Sequence, residues 1–398
     1  MKIIWICPEM IYPDNSGARI VMYNRIKYFS KQNHDIYLVC TVDSQNDFEY
    51  MENLSVICKK VILINRNINK IGNIFRSILR PYCIASRTNK KIEKSIYNIV
   101  NSEKIDIIFC EFPQMARNIS KRIKNKGIKC ILSQHNIEFL SMNSLSQCYS
   151  EYIRRIIFKF DSFRLKKYEY NLYKSNLFDG YVFLSENDKK YFAENLNVNN
   201  KRLYLSPIGS HIHCDKINIS QEFNIVIIGK MSYRPNIEGV MWFCNKVFKR
   251  IYNQIDKVKL YIVGKEPDKD IKSLASHNII VTGEVSVIDQ YYYLADIVVI
   301  PIFYGGGVKT KLIEAASHSK PIIATSFAVK GTIFENEEDL IIEDNSNEFA
   351  KRCIDILRHK ENYIEMTARC NLKFKENYTW NTIGNNLKIA CEEISRLE

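Results

Sequence analysis

The sequence predicts an α/β protein built from two doubly wound, Rossmann-like domains. Short apolar runs rich in Ile and Val alternate with helical patterns along all 398 residues, which is typical of parallel strands covered by helices. The alternation forms two series, separated by the polar stretch SPIGSHIHCDKINISQE at 206–222. A chain of this length is too long for one ordinary core and suits two domains.

Apolar runs predict the strands of each domain, and longer periodic segments predict the helices. In the first series the strands are 3–7, 36–40, 105–110, 129–132 and 180–184, with helical patterns at 18–30 and 90–101. In the second series they are 224–229, 259–263, 279–281, 296–300 and 321–325, with helical patterns at 237–251 and 309–317. We expect domains at 1–207 and 223–378, a linker at 208–222 and a last helix at 379–398.

Positive charge is concentrated in the first domain. The formal net charge is +13; residues 1–210 contain 33 Lys and Arg against 19 Asp and Glu, whereas residues 211–398 contain 24 against 25. Such an excess indicates contact with an anionic surface, which leaves nucleic acid, a phospholipid leaflet and a polyphosphate substrate open. A lysine-rich background composition is the alternative.

The cysteine pattern and the apolar runs predict a cytoplasmic protein. The 12 cysteines form no CxxC pair and several lie within apolar runs, so we expect buried thiols in a reducing compartment. The first residues, MKIIWICPEM, do not read as a signal peptide. No apolar run approaches the roughly 20 residues that span a bilayer, so any membrane association is expected to be peripheral.

The strongest functional signal is GGGVKTKLIEAA, which begins at Gly305, follows a predicted strand and leads into a helix. Glycine allows a ligand to approach the backbone, and the unpaired amides of a helix N-terminus attract phosphate. Lys309 and Lys311 add positive charge. Glu314 lies one turn beyond Lys311, where a carboxylate accepts hydrogen bonds from a ribose diol. A glycine-rich connection with surface charges is the alternative.

The stretch GGGVKTKLIEAASHSKPIIATSFAVKG resembles the signature of retaining glycosyltransferase family 4, which has the GT-B fold. IVIIGKMSYRPNIEGVMWFCNKVFKRI resembles the opening of the family's second domain. The likeness covers nearly the whole chain, is most specific over 224–332 and is weak over 41–104. It implies two domains facing a central cleft, a last helix that crosses back to the first domain, and metal-independent sugar transfer without a cofactor.

The resemblance implies a donor site in the second domain. Glu314 matches the glutamate that holds the ribose of the nucleotide sugar, and Lys230 matches the cation that binds its diphosphate. At the position of the family's second cation this sequence has Asn236, and Lys311 and Arg234 are nearby replacements for that charge. At the position of the family's other glutamate this sequence has Gly306. The backbone amides expected to replace part of its contacts are those of Gly306, Gly307, Val308 and Lys309.

Two segments of the first domain follow predicted strands. Gly17 and Arg19 open a helix, and the family has a glycine at this position, facing the donor. Two roles for Arg19 are equal alternatives: binding an acceptor phosphate, or lying at the surface as an ordinary arginine. His135 suits a sugar hydroxyl or an oxyanion, and the family has a matching histidine near the donor sugar. We expect Glu138 to orient His135, cap the next helix or contact the acceptor.

Two further segments are ambiguous. HIHC at 211–214 lacks the spacing of a zinc site and no second pair follows it, so we expect no metal there. Residues Tyr152–Lys174 mix Arg and Lys with Ile, Phe and Tyr at helical spacing. That pattern suits a helix on an anionic membrane and equally a helix packed on its own domain.

The resemblance implies transfer of a sugar, with retention of its anomeric configuration, to a hydroxyl of a glycan or lipid-linked acceptor in surface polysaccharide synthesis. Lys230, Lys311 and helix-terminal amides neutralise the leaving diphosphate, and His135 contacts the sugar. A nucleotide-sugar epimerase of the same fold is one alternative. A basic nucleic-acid-binding protein is another, although no such motif is present. A degenerate transferase acting as a partner subunit is the third.

Overall fold

The computed structural model describes residues 1–14, 16–66, 77–78, 80–148, 151–196, 202–213, 223–305 and 310–397. The chain divides into two compact units. The first comprises Met1–Pro207 together with Ile383–Glu398, and the second comprises Ile208–Thr382. Each unit contains one sheet, and all the paired strands run parallel.

The first sheet has seven strands in the order β3-β2-β1-β4-β5-β6-β7. Their bounds are β1 Lys2–Cys7, β2 Asp35–Val42, β3 Lys60–Asn65, β4 Ile107–Glu111, β5 Lys129–Gln134, β6 Gly180–Phe183 and β7 Leu203–Leu205. The order reverses between β1 and β4, which are hydrogen-bonded neighbours. The carboxyl ends of strands at such a reversal form the usual ligand site of doubly wound sheets.

The second sheet has six strands in the order β10-β9-β8-β11-β12-β13. Their bounds are β8 Phe223–Ile228, β9 Val258–Val263, β10 Ile279–Gly283, β11 Ile297–Ile300, β12 Ile322–Ala324 and β13 Ile341–Ile342. Here the order reverses between β8 and β11. The two loops that leave these strands are therefore neighbours at the carboxyl edge.

Helices connect successive strands because parallel strands need crossover connections. In the first unit they are Gly17–Lys31, Gln45–Tyr50, Met51–Ser55, Tyr82–Arg87, Lys90–Ser102, Pro113–Asn118, Lys121–Lys124, Glu138–Cys148, Tyr152–Lys174 and Glu186–Leu196. In the second they are Arg234–Trp242, Phe243–Phe248, Lys249–Tyr252, Lys269–Lys272, Asp289–Leu294, Thr310–Ser317, Ser326–Val329, Ser346–Arg358, Lys360–Tyr363 and Ile364–Asn377. The last helix is Trp380–Ser395.

The helices begin and pack as their sequences dictate. The Asn89 side chain accepts a hydrogen bond from the Lys91 amide and so caps helix Lys90–Ser102. Ile92, Ile96 and Ile99 then recur at helical spacing and are buried against the sheet. Among the described residues, no helix is long and apolar enough to cross a membrane.

The last helix contributes its apolar face to the first unit. Its residues Leu387, Cys391 and Ile394 belong to the same buried cluster as β1 and β2. The Gly384 position lies against the ring of Tyr28, where an added Cβ would be 2.2 Å from Cγ. Glycine is needed there because the two helices approach closely.

Three strands were absent from the expected set. β3, β7 and β13 are edge strands, and β3 is only partly buried, with exposed residues at both ends. β7 and β13 give a weak signal because they are only three and two residues long. β3 contains the apolar run VILI, so its pattern was present in the sequence and was missed. The helix expected at 237–251 is also interrupted, since Phe243–Phe248 forms a π-helical turn.

Gly239 tests how closely helix Arg234–Trp242 packs on the end of β11. An ideal Cβ at Gly239 would lie 2.0 Å from the carbonyl oxygen of Pro301. In an open helix Gly→Ala stabilises by about 1 kcal/mol; here we expect Gly239→Ala to lower the free energy of unfolding by roughly 1–3 kcal/mol through overpacking. Urea denaturation measures this. The exposed Lys249→Ala is the control, and an equal effect of both variants would contradict the packing.

Candidate functional site

The second sheet brings two predicted segments together at its reversal point. The loop after β8 contains Lys230 and leads into helix Arg234–Trp242. The loop after β11 contains Gly305 and leads into helix Thr310–Ser317. Because β8 and β11 are adjacent, both helix N-termini follow the same carboxyl edge, where anions bind in folds of this type.

Asn236 links these two segments. Its side-chain amide donates to the carbonyl of Lys230 at 2.8 Å, and its Oδ1 accepts from Nζ of Lys311 at 2.7 Å. Asn236 is buried. Asn236, which departs from the pattern of the resembling family, therefore positions Lys311. Because an amide is neutral, Asn236 does not cancel the positive charge of the Lys311 ammonium.

The link requires glycine beneath it. An ideal Cβ at Gly229 would lie 2.8 Å from Nδ2 of Asn236 and 3.0 Å from Nζ of Lys311. Gly264, at φ +149°, is packed so closely that a Cβ would lie 1.7 Å from the carbonyl oxygen of Gly229. A side chain at Gly229 would displace the side chains of Asn236 and Lys311, and one at Gly264 would displace the backbone of the loop after β8.

The other two predicted cations of this segment lie at the surface. Nζ of Lys230 is 3.0 Å from a carboxylate oxygen of Glu266, and both side chains are about half exposed. Arg234 forms an exposed ion pair with Glu238 at 2.7 Å. Exposed pairs of this kind are weak, so a polyanionic ligand would compete for both cations at low cost.

The glycine loop is described only in part. Gly305 has a φ of +133°, a conformation that favours glycine. The predicted contacts of Gly306, Gly307, Val308 and Lys309 lie outside the described residues. The described helix begins at Thr310, and its first turn contains Lys311.

Glu314 is held by a tyrosine from a neighbouring helix. The Tyr292 hydroxyl donates to Oε2 of Glu314 at 2.9 Å. Burial raises the pKa of Glu314, while the Tyr292 hydrogen bond and nearby Lys311 oppose that rise. The carboxylate therefore has one lone pair occupied and the rest available for a donor such as a ribose hydroxyl.

In the first unit, His135 belongs to a buried ionic network at the carboxyl edge of the sheet. Its Nε2 lies 2.7 Å from Oε2 of Glu111, and its ring stacks on Phe112 at 3.9 Å. Arg25 Nη1 lies 3.4 Å from Oε1 of Glu111, and Trp5 Nε1 donates to the same oxygen at 3.0 Å. All of these ionic side chains are buried.

The protonation states of this network follow from its geometry. Burial would raise the pKa of Glu111, but Arg25 and His135 outweigh it and lower that pKa to about 2. Burial lowers the pKa of His135, with Glu111 opposing. The neutral imidazole then donates Nε2–H to the carboxylate, so its other nitrogen, Nδ1, is an acceptor. Such a ring suits a sugar hydroxyl better than an oxyanion.

The expected orienting and capping roles of Glu138 were wrong. Glu111 orients His135, and the buried Glu169 caps the helix that follows, accepting from the amides of Phe139 at 3.0 Å and Glu138 at 3.3 Å. Burial, with Glu138 nearby, raises the pKa of Glu169 to about 8. Burial also raises the pKa of Glu138 to about 7. Its acceptor role stays a prediction.

Gly17 and Arg19 occupy the first turn of helix Gly17–Lys31, as their sequence pattern suggested. Ser16 precedes the helix in an extended conformation without capping it through its side chain. Nε of Arg19 is 3.2 Å from Oε2 of Glu9, and both side chains are partly exposed. An acceptor phosphate at this helix terminus would have to draw Arg19 away from Glu9.

A second cluster in the second unit was not anticipated. His213, Asp289 and His318 come from three separate segments, and their ligand-type atoms all lie within 4.8 Å of one another. The His213 and His318 rings stack at 3.9 Å. The HIHC segment thus finds partners that lie 76 and 105 positions further along the chain, which spacing within the segment does not reveal.

Comparison with known proteins supports sugar transfer as the class of reaction. Residues 222–359 match the family model described as Glycosyl transferases group 1. An uncharacterized 44.6 kDa protein in the cps region of Klebsiella pneumoniae is 24% identical over 394 residues, covering 95% of this chain and 96% of that protein.

Solved structures confirm the predicted fold of two Rossmann-like α/β domains. S. aureus TarM superposes with a TM-score of 0.72 at 12% identity, covering 98% of this chain and 99% of TarM. Anabaena HepE in complex with UDP superposes with a TM-score of 0.67 at 14% identity, covering 100% of both chains. The fold is the GT-B fold of these glycosyltransferases.

The buried network around Glu111 should matter for stability. In Glu111→Gln the charge of Arg25 remains buried without its counter-ion, so we expect a loss of about 3–5 kcal/mol in the free energy of unfolding, measured by urea denaturation at neutral pH. Glu103→Gln removes the partner of Lys2 in a partly exposed pair and should cost at most about 1 kcal/mol. Similar losses in the two variants would refute the buried ion pair.

Proposed function

We propose that the protein is a glycosyltransferase that takes its sugar from a nucleotide-diphosphate sugar bound at the reversal point of the second sheet. The observation on which this depends is the Asn236 link, which holds Lys311 beside the loop of Lys230 at a helix N-terminus. Two positive charges and two helix N-termini at one strand edge suit a diphosphate. The family match over residues 222–359 covers this region.

The chemistry proposed for these groups is stabilisation of the leaving nucleotide diphosphate. As the bond from the anomeric carbon to the β-phosphate oxygen breaks, negative charge grows on that oxygen. Lys230 and Lys311 neutralise it without metal in the reaction, and they require little rearrangement because Asn236 already fixes Lys311. Arg234, exposed beside them, is a third cation for the same group.

Glu314 is the proposed ribose ligand. Its carboxylate is fixed by Tyr292 and lies one helical turn beyond Lys311, so one helix would contact both the phosphate and the ribose. The relatives suggest the base: HepE has been solved with UDP-glucose, and TarM with UDP and alpha-GlcNAc-glycerol. UDP-sugars are therefore the first donors to test.

Retention of anomeric configuration and a role in surface polysaccharide synthesis complete the proposal. The resemblance of residues 305–331 to the retaining family supports the first, and the cps-region relative supports the second. Proton NMR of the product would report its anomeric configuration. An epimerase converts one nucleotide sugar into another, so any UDP release by it would not depend on an acceptor glycan. A transferase releases UDP as the sugar passes to an acceptor, so measuring UDP release with and without acceptor separates the two activities.

Donor binding tests the site directly. We expect UDP-sugars to raise the melting temperature, and Glu314→Ala to abolish that shift because the ribose loses its ligand. Asn236→Asp should weaken binding by roughly tenfold or more, since a carboxylate would still hold Lys311 but would cancel its charge (about 1.4 kcal/mol per tenfold). Thermal-shift and calorimetric titrations with UDP-, GDP-, ADP- and CMP-sugars measure both effects.

The matched controls for donor binding are exposed residues of the same unit, Glu348→Ala and Asn253→Asp. Both should bind the donor as the unaltered protein does. Full binding by Glu314→Ala would show that the donor lies elsewhere. If Asn236→Asp bound the diphosphate as tightly as the unaltered protein, the charge of Lys311 would not contribute.

We also propose a peripheral membrane contact through helix Tyr152–Lys174. Six apolar side chains of its N-terminal half are 50–76% exposed: Tyr152, Ile153, Ile156, Ile157, Phe160 and Phe163. Arg154, Arg155 and Lys159 lie among them and are also exposed. A helix that presents apolar and cationic side chains together suits an anionic bilayer surface, where a lipid-linked acceptor would be presented.

The apolar stripe of this helix makes the membrane contact testable. The double variant Ile157→Ser with Phe160→Ser should reduce co-sedimentation with phosphatidylglycerol-containing vesicles by roughly tenfold or more, because two apolar side chains that would be buried in the membrane are lost. Val56→Ser alters another exposed apolar side chain of the same unit and should not reduce it. The proposed surface would be contradicted if the double variant bound these vesicles as well as the unaltered protein does. It would also be contradicted if the unaltered protein bound phosphatidylcholine vesicles equally well.

A further inference from the structure

Three metal-ligand side chains converge in the second unit, apart from the groups assigned to the donor. His213 precedes β8, Asp289 begins helix Asp289–Leu294, and His318 follows helix Thr310–Ser317. Each offers one ligand atom, and these atoms all lie within 4.8 Å of one another. Two imidazoles and a carboxylate are a common ligand set for Zn²⁺ and related divalent transition metals.

His318 is prepared as a ligand by its own hydrogen bond. Its Nδ1 lies 2.7 Å from the backbone carbonyl of Glu314, and since a carbonyl only accepts, Nδ1 bears the proton. In the neutral ring Nε2 therefore carries a lone pair that faces Asp289 and His213. The ring is buried, and Nε2 has no hydrogen-bond partner. Metal-bound histidines are oriented by such a bond from the opposite nitrogen.

The separations also suit a tetrahedral ion. Nε2 of His318 is 3.3 Å from Oδ1 of Asp289, and Nδ1 of His213 is 3.7 Å from Oδ2 of Asp289. Ligands at about 2.0–2.2 Å from a tetrahedral Zn²⁺ ion are separated from each other by roughly 3.3–3.6 Å. The stacked His213 ring, which is more exposed than that of His318, would turn about χ2 to aim its lone pair at the ion.

We propose that His213, Asp289 and His318 form a binding site for a divalent transition-metal ion of the Zn²⁺ type, with solvent in the fourth position. The site lies beside the proposed donor groups without sharing a ligand with them. It does not depend on the proposed function, because the ligand set would bind the ion whether or not a nucleotide sugar binds. Its role is structural, and the leaving-group chemistry does not pass through it.

The bound ion would stabilise the helix that contains Glu314. His318 receives its orientation from the Glu314 carbonyl, and Tyr292 stacks on the His318 ring at 4.5 Å while its hydroxyl holds the Glu314 carboxylate. Fixing His318 therefore fixes the end of helix Thr310–Ser317. We expect metal binding to raise the melting temperature of the protein in the absence of any nucleotide.

The experiment uses the full chain after treatment with a chelator. Titration with Co²⁺, followed by the visible absorption of the bound ion, reports ligand geometry, and competition with Zn²⁺ gives its affinity. We expect one ion per chain. His213→Gln and Asp289→Asn should each weaken Zn²⁺ binding by 100-fold or more, since loss of a direct ligand should exceed the roughly 10–100-fold cost of losing an outer partner. Both residues are partly exposed, so folding should survive.

His277→Gln, which alters an exposed histidine of the same unit that contacts Tyr252, is the matched control and should leave the affinity unchanged. Absence of a stoichiometric ion in the unaltered protein would overturn the proposal. Binding that persists in His213→Gln and Asp289→Asn would also overturn it, as would binding lost only on alkylation of the cysteines. Donor binding by the metal-free protein is a separate measurement, so failure of either proposal leaves the other standing.

Discussion

The second unit depends on the pair of hydrogen bonds made by Asn236. The loops after β8 and β11 leave adjacent strands, but adjacency alone does not fix the Lys311 side chain relative to the loop after β8. Asn236 does so by donating to the carbonyl of Lys230 and accepting from the ammonium of Lys311. A cation at this position would repel Lys311, and a carboxylate would neutralise it. A buried neutral amide holds the charge in place without cancelling it.

A comparable constraint in the first unit concerns protonation. Burying Arg25, Glu111 and His135 together is costly unless each polar atom finds a partner, and Trp5, Ser133 and the carbonyl of Ser206 supply several of these partners. The consequence for His135 is a defined tautomer. Because Nε2–H is committed to Glu111, Nδ1 is the nitrogen left for a ligand, and in the neutral ring it accepts. The sequence left a sugar hydroxyl and an oxyanion open as ligands of His135, and the tautomer favours the hydroxyl.

The sequence was informative where chemistry is local. Strands with continuous apolar runs, the glycine loop and the helix that follows it were all predicted from neighbouring residues. Glu111 was missed because it reads as the last residue of a buried strand, and its partner Arg25 lies 86 positions away. Glu169 was missed for the same reason, since it sits inside a helix and caps another one 31 positions earlier. His213 needed two partners that only the strand order brings near.

The two halves of helix Tyr152–Lys174 differ in how far they pack on their own unit. Its C-terminal half is docked, with Leu165, Glu169 and Leu172 buried, and Glu169 must stay docked because it caps the helix that follows His135. The N-terminal half of the helix instead exposes its apolar side chains. Folding therefore fixes one end of the helix at the His135 segment and leaves the apolar side chains of the other end exposed. The proposed anionic membrane contact would place the excess positive charge of the first unit at that surface.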